Sequence, residues 1–209
     1  MDMTETTAGS VDDAKARRGD RRRLWVQGGW HLAAALVAIG VWAALDSWRL
    51  LTGLSIASGL SVLAAVAAGM WLSHQAHEWS HFLGARLCRA VSPVKSQPAF
   101  LIYDYDFSRN TPEQFLVMSV AGSLGNLALA LLIAIAIPMD SAGRAMLLAA
   151  VIAMAVYVAL LEFPVIHRAW RERNPLAALQ AGFTPAAFNR ATVAAIAAGL
   201  VVWGLLLPG

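Results

Sequence analysis

Residues 60 to 81, LSVLAAVAAGMWLSHQAHEWSH, decide the fold. From Leu60 to Leu72 the only polar side chain is Ser61, and the run passes without a proline into His77-Glu78-Trp79-Ser80-His81. Such an apolar stretch predicts a membrane helix, and ionisable side chains at membrane depth cost enough to imply a function. On a helix advancing about 100° per residue, His77 and His81 lie about 40° apart and one turn apart, close enough to share a metal ion. Glu78 stands beside them, suited to take a proton from activated water rather than to bind the metal. In a soluble chain the same five residues would read as a solvated helix face; the apolar run before them argues against that. His74 extends the face by a turn. It suits a proton relay, support of an imidazole, a second metal, or an ordinary hydrogen bond within the bundle.

The surrounding composition agrees. Of 209 residues, 58% are hydrophobic and only 14% are charged, and the mean hydropathy of +0.58 fits a polytopic membrane protein better than a soluble domain. Spans of about 20 apolar residues predict five helices near 24–45, 52–87, 114–138, 143–167 and 187–207. The second is too long for a simple crossing, so part of it is expected to form a separate or strongly tilted segment starting near Leu50. The stretch Leu24 to Leu45 is long enough to span and is expected to be an uncleaved first helix. Residues 1–23 are polar and basic and are expected to form a disordered cytoplasmic tail, leaving 24–209 as one membrane-embedded domain.

A calculated pI near 9.5 could suggest nucleic acid, but the basic residues track the ends of apolar segments. Fourteen of the 16 Lys and Arg fall on one side of these helices, with only Arg49 and Arg144 on the other. The positive-inside rule then predicts a cytoplasmic amino terminus and an external carboxyl terminus. Trp25, Trp30, Trp48 and Trp203 sit near the proposed interfaces. The single cysteine, Cys88, excludes an internal disulfide and any multi-cysteine metal site, so a metal must rely on His and carboxylates. We expect an integral protein of a bacterial inner membrane, partnered by the lipid bilayer and not by nucleic acid. The oligomeric state is not legible.

Between the second and third helices, Val91 to Glu113 is the longest polar stretch after the tail. Its aromatic segment Ala99 to Phe107 alternates at its end, which predicts a short strand or hairpin at the membrane surface. A strand edge there would hold an extended peptide by β-addition. Asp104 and Asp106 read as solvated charges. Thr111-Pro112-Glu113 reads as a helix start, with Thr111 the N-cap and Pro112 in the first turn. In the third helix, Ala121-Gly122-Ser123-Leu124-Gly125-Asn126 carries small residues that let helices approach closely. Asn126 is deep enough in the helix to need a partner, either in the bundle or on a substrate.

Taken together, these residues resemble the site-2 proteases, which are intramembrane zinc metalloproteases. His77 to His81 followed by Phe82-Leu83-Gly84-Ala85-Arg86 is similar to that family's H-E-x-x-H with a trailing small residue and arginine. Thr111 to Leu116 leading into Ala121 to Asn126 is similar to its A-G-P-x-x-N helix, with Ser123 where proline is usual. The likeness covers about Leu60 to Pro138. It implies Zn2+ as cofactor, His77 and His81 as ligands, Glu78 as catalytic base, Asn126 as a hydrogen-bonding group for the substrate backbone or oxyanion, and cleavage of a transmembrane protein near its cytoplasmic side.

The fourth helix departs from the pattern. The family's third ligand is an aspartate in an N-x-x-P...L-D-G segment, and no aspartate follows Asp140 in this chain. Gln180 in Pro175 to Gly182 falls at a similar spacing but is a poor zinc ligand. Glu162 and His167, on either side of Pro164, are the credible substitutes. Depth favours Glu162, whereas the expectation that Pro164 unwinds the helix favours His167, with Glu162 then orienting an imidazole. His167 is the sequence choice. The departure leaves open a site that binds no metal tightly, in a non-catalytic relative that binds transmembrane segments. A His-rich oxidoreductase with two metals is disfavoured, because His31, His74, His77, His81 and His167 are the only histidines.

Overall fold

The computed structural model describes residues 3–207, with side chains from Gly19 onward. It contains six helices: α1 (Met3–Thr52), α2 (Ser55–Leu87), α3 (Pro112–Ala136), α4 (Ala142–Glu172), α5 (Pro175–Gly182) and α6 (Pro185–Leu206). Five of them, α1 from Gly19 together with α2, α3, α4 and α6, are long and apolar enough to cross a membrane. The chain is an all-α polytopic membrane protein.

Local chemistry sets the boundaries. Gly53 at φ +66° is in the left-handed region that favours glycine, and it separates α1 from α2. The second helix is therefore one continuous piece from Ser55, without the separate segment expected near Leu50. Thr111 caps α3 in a reciprocal capping box with Gln114, and Pro112 occupies the first turn. Asn174 caps α5, which the hydropathy reading missed because eight residues are too few to span. Toward the amino terminus, where a disordered tail is expected, α1 continues back to Met3. No proline interrupts it, the first in the chain being Pro93. Met1 and Asp2 of that tail, and the side chains up to Arg18, lie outside the described residues.

Side-chain ties define the two ends of the bundle. At one end Arg86, near the end of α2, pairs with Asp20 of α1 at 2.6 Å, and Arg173 after α4 pairs with Glu113 at the start of α3. At the other end Asp46 of α1 is buried and accepts from Ser141 at 3.1 Å and Arg144 at 2.8 Å, while Trp203 donates to the Ala142 carbonyl at 3.0 Å. Successive crossings are therefore antiparallel. The spans α2, α3 and α4 pack on one another, whereas α1 lies chiefly against α2 and α6 chiefly against α4.

The core is apolar at both ends and polar between. Trp42, Ala65, Ala68, Ile133, Leu147, Leu148 and Val151 fill one cluster. Ala85, Phe115, Met118, Val165, Ala169 and Ala178 fill part of the other. Ser73, His77, His81 and Asn126, all buried, lie in the sequence between these layers.

The α2–α3 connection folds back as a rudimentary hairpin. Val94 and Tyr103 form an isolated antiparallel bridge. In the same register Lys95 N–H donates to the Ile102 carbonyl at 3.0 Å, Asp104 N–H to Pro93 at 3.0 Å and Asp106 N–H to Val91 at 3.2 Å. Among the described residues no full strand forms. Pro93 has no N–H to return, and the Val91 N–H is taken by the Asn110 side chain at 2.6 Å. Val94 and Ile102 pack against Phe82, so the hairpin is seated on α2. The first helix holds it from the other side. Asp20 accepts from Val94 N–H at 2.8 Å, and Gln27 pairs with both the N–H and the carbonyl of Ala99.

Candidate metal centre

His77, His81 and Glu162 converge, each offering a ligand atom within 4.8 Å of the others. His77 Nε2 and His81 Nε2 are 2.8 Å apart, and Glu162 Oε1 lies 3.0 Å from the first and 3.1 Å from the second. In a tetrahedral site with bonds near 2.0–2.1 Å the ligand atoms stand roughly 3.3 Å apart, so this triangle has the right size for one small divalent ion with a fourth position open. Two imidazoles and a carboxylate also form a donor set suited to zinc.

The hydrogen bond of His81 favours the same reading. His81 Nδ1 faces the Met118 carbonyl at 2.8 Å. A carbonyl only accepts, so Nδ1 carries a proton and Nε2, turned toward His77 and Glu162, is the ring position left to bind a metal. His77 Nδ1 lies 3.3 Å from the Asn126 side-chain amide, which also touches Ser73 Oγ at 3.0 Å. Asn126 Nδ2 donates to His77 Nδ1 and Asn126 Oδ1 accepts from Ser73, so a neutral His77 carries its proton at Nε2, directed at Glu162 Oε1 and His81 Nε2. Ser123 Oγ stands 3.4 Å from the second oxygen of Glu162. The His77 Nε2 proton then lies between the two imidazoles and Glu162, where a metal ion would displace it.

Glycine makes this approach possible. A Cβ on Gly122 would collide with the His81 imidazole, and one on Gly125 with Ser80. The small-residue stripe of α3 is thus what lets the H-E-x-x-H face of α2 lie against it, as the spacing in the sequence suggests.

Glu78 does not join the triangle. It lines a cleft of about 420 Å³ together with His81, Glu162, Tyr103, Tyr105 and Phe115, where the hairpin, α3 and α4 meet. Burial, with the Glu78 carboxylate nearby, pushes the Tyr103 phenol well above its ordinary range, so it stays protonated. Asp106, half-buried and held by the Ser108 hydroxyl, has its carboxyl lowered. Asp104 pairs with Lys95 at 2.8 Å.

The structure does not bring His167 to the other histidines. It is exposed and lies against Trp170, ring centroids 6.1 Å apart. The reason is that α4 runs unbroken through Pro164. Five residues of regular helix turn His167 about 140° away from Glu162, on a face that does not meet α2. Proline removes one hydrogen bond here without unwinding the segment. Asn126 is spent on His77 and Ser73 rather than lining the cleft. His74 reaches the Phe100 carbonyl of the hairpin at 3.3 Å. Gln180 is on α5.

Sequence reasoning missed His31. Its Nδ1 accepts from Trp79 Nε1 at 3.0 Å, and its Nε2 lies 3.1 Å from the Ala99 carbonyl, tying α1, α2 and the hairpin together. The i,i+4 spacing of Gln27 and His31 was the available signal. No family model, curated protein or solved structure matches this chain.

Proposed function

We propose that this chain is an intramembrane zinc metalloprotease of the site-2 protease type, hydrolysing a peptide bond of a transmembrane protein near the cytoplasmic side. The observation that carries the reading is the convergence of His77 Nε2, His81 Nε2 and Glu162 Oε1 beside a cleft that also holds Glu78. His77, His81 and Glu162 are the proposed ligands. Zinc bound there would polarise a peptide carbonyl and lower the pKa of water. Glu78 accepts the proton of the attacking water and returns it to the leaving amine. Tyr103, kept neutral by its burial, offers a hydroxyl donor in the same cleft. The Met118 carbonyl fixes His81 with Nε2 toward the site, and Asn126 holds the His77 ring in place.

The hairpin supplies a place for an extended substrate. Residues 102, 104 and 106 turn their main-chain groups toward 91–95, so those of Tyr103 and Tyr105 point to the opposite edge. Both tyrosines line the cleft, and a peptide added along that edge would be stretched past Glu78, exposing the bond that a helix hides. In this reading the membrane is a bacterial inner membrane, the basic end of the bundle is cytoplasmic and the carboxyl terminus is external.

Metal analysis of the purified full chain tests the proposal. One zinc per chain is expected. Stoichiometric iron would replace it with redox chemistry, and a chain without metal would be a non-catalytic binder of transmembrane segments.

A further inference from the structure

On the other face of α4 lies a second concavity, of about 530 Å³, walled by α4, α5 and α6. Leu160, Leu161 and Ala194 line it at one level, and Arg168, Arg190 and Ala191 at another. The two helices run in opposite directions, so the levels can be compared. Arg168 is four residues from the end of α4 and Arg190 five from the start of α6, both roughly 6–8 Å from the helix ends. Leu160 and Ala194 lie deeper, roughly 14–18 Å from those ends. The groove is therefore cationic at the basic end of the bundle and apolar toward the bilayer centre.

Its charge is incompletely balanced. Arg168 shares Glu172 at 3.1 Å. Arg190 is the only charged residue of α6, and among the described residues no acidic group lies within 4 Å of it. An arginine set into a membrane helix ordinarily finds an anion or a wet cavity. Thr184 and Ala187 of the amino-terminal turn of α6 line the same groove, adding the partial positive charge of a helix start.

We propose that this groove binds an anionic glycerophospholipid, its phosphate between Arg168 and Arg190 and an acyl chain along Leu160, Leu161 and Ala194. The charge gradient selects this occupant. A transmembrane helix would leave the Arg190 guanidinium without an anion, and a free phosphate would leave the deep apolar part without a partner. The site is separate from the metal centre and does not depend on its chemistry.

Native mass spectrometry of the full chain in neutral detergent, with added phosphatidylglycerol, phosphatidylcholine or inorganic phosphate, tests it. Phosphatidylglycerol adducts should exceed phosphatidylcholine adducts roughly tenfold, given two arginines partly offset by one carboxylate, and millimolar inorganic phosphate should not displace them. The double variant Arg168→Gln/Arg190→Gln should lose the preference, whereas Arg22→Gln/Arg23→Gln on the exposed surface of α1 should keep it. Ala194→Phe fills the deep end without touching a charge and should also lose the adduct, which keeps the test usable should the double variant not fold. Equal loss in the α1 control would reduce the effect to diffuse surface charge and overturn the proposal, as would displacement by phosphate or full retention in the Ala194 variant.

Discussion

Glu78 and Glu162 are carboxylates on facing helices whose environments assign them different work. Glu162 is locked between two imidazoles, while Glu78 is left at the cleft. Replacing Glu78 by Gln is expected to retain zinc and lower cleavage of a confirmed substrate by ~10²–10⁴-fold, the usual share of a general base; cleavage at the normal rate would remove the hydrolytic mechanism. Glu162→Ala is expected to release the metal, and His167→Ala to keep it, read as zinc per folded chain. The opposite pattern would mean that the helix opens at Pro164 when metal binds. The meeting of His77 and His81 was legible in the sequence, because helical periodicity alone puts them together. The choice of Glu162 over His167 as their neighbour was not: whether a proline unwinds a helix depends on packing around it, and in α4 Val165 and Ala169 are held in the core just beyond it.

Among the elements, α3 and the hairpin set the shape of the site. Gly122→Ala would push a methyl group into the His81 ring, and a loss of about 1–3 kcal/mol in stability is expected from such overpacking, together with weakened zinc binding. Unchanged melting and metal content in this variant would show that the helices can separate without harm. The hairpin depends on α1: Gln27→Ala deletes both bonds to Ala99, and faster hydrogen exchange is expected at the Ala99 amide and across 102–106. Exchange at the native rate would mean that Phe82, Val94 and Ile102 suffice to seat it. A hairpin was foreseeable from the aromatic alternation after Ala99. Its reduction to a single bridge follows from Pro93, and its attachment to α1 from tertiary contacts that no local pattern carries.

At the scale of the whole molecule, the five long apolar helices and the basic asymmetry were readable from hydropathy and charge. The antiparallel order gathers Arg86, Arg109, Arg168, Arg171, Arg173 and Arg190 toward the end that also carries Asp20 and Glu113. Reporter fusions are expected to show that end, with the amino terminus, in the cytoplasm and the carboxyl terminus outside; a carboxyl-terminal fusion active only in the cytoplasm would contradict five crossings. The peripheral seat of α6, which leans chiefly on α4, has a consequence for biosynthesis. Every proposed ligand precedes residue 163, and the last crossing begins at Pro185. A chain threading into the bilayer in order brings α2, α3 and α4 together before α6 inserts, so His77, His81 and Glu162 can meet without the help of that helix.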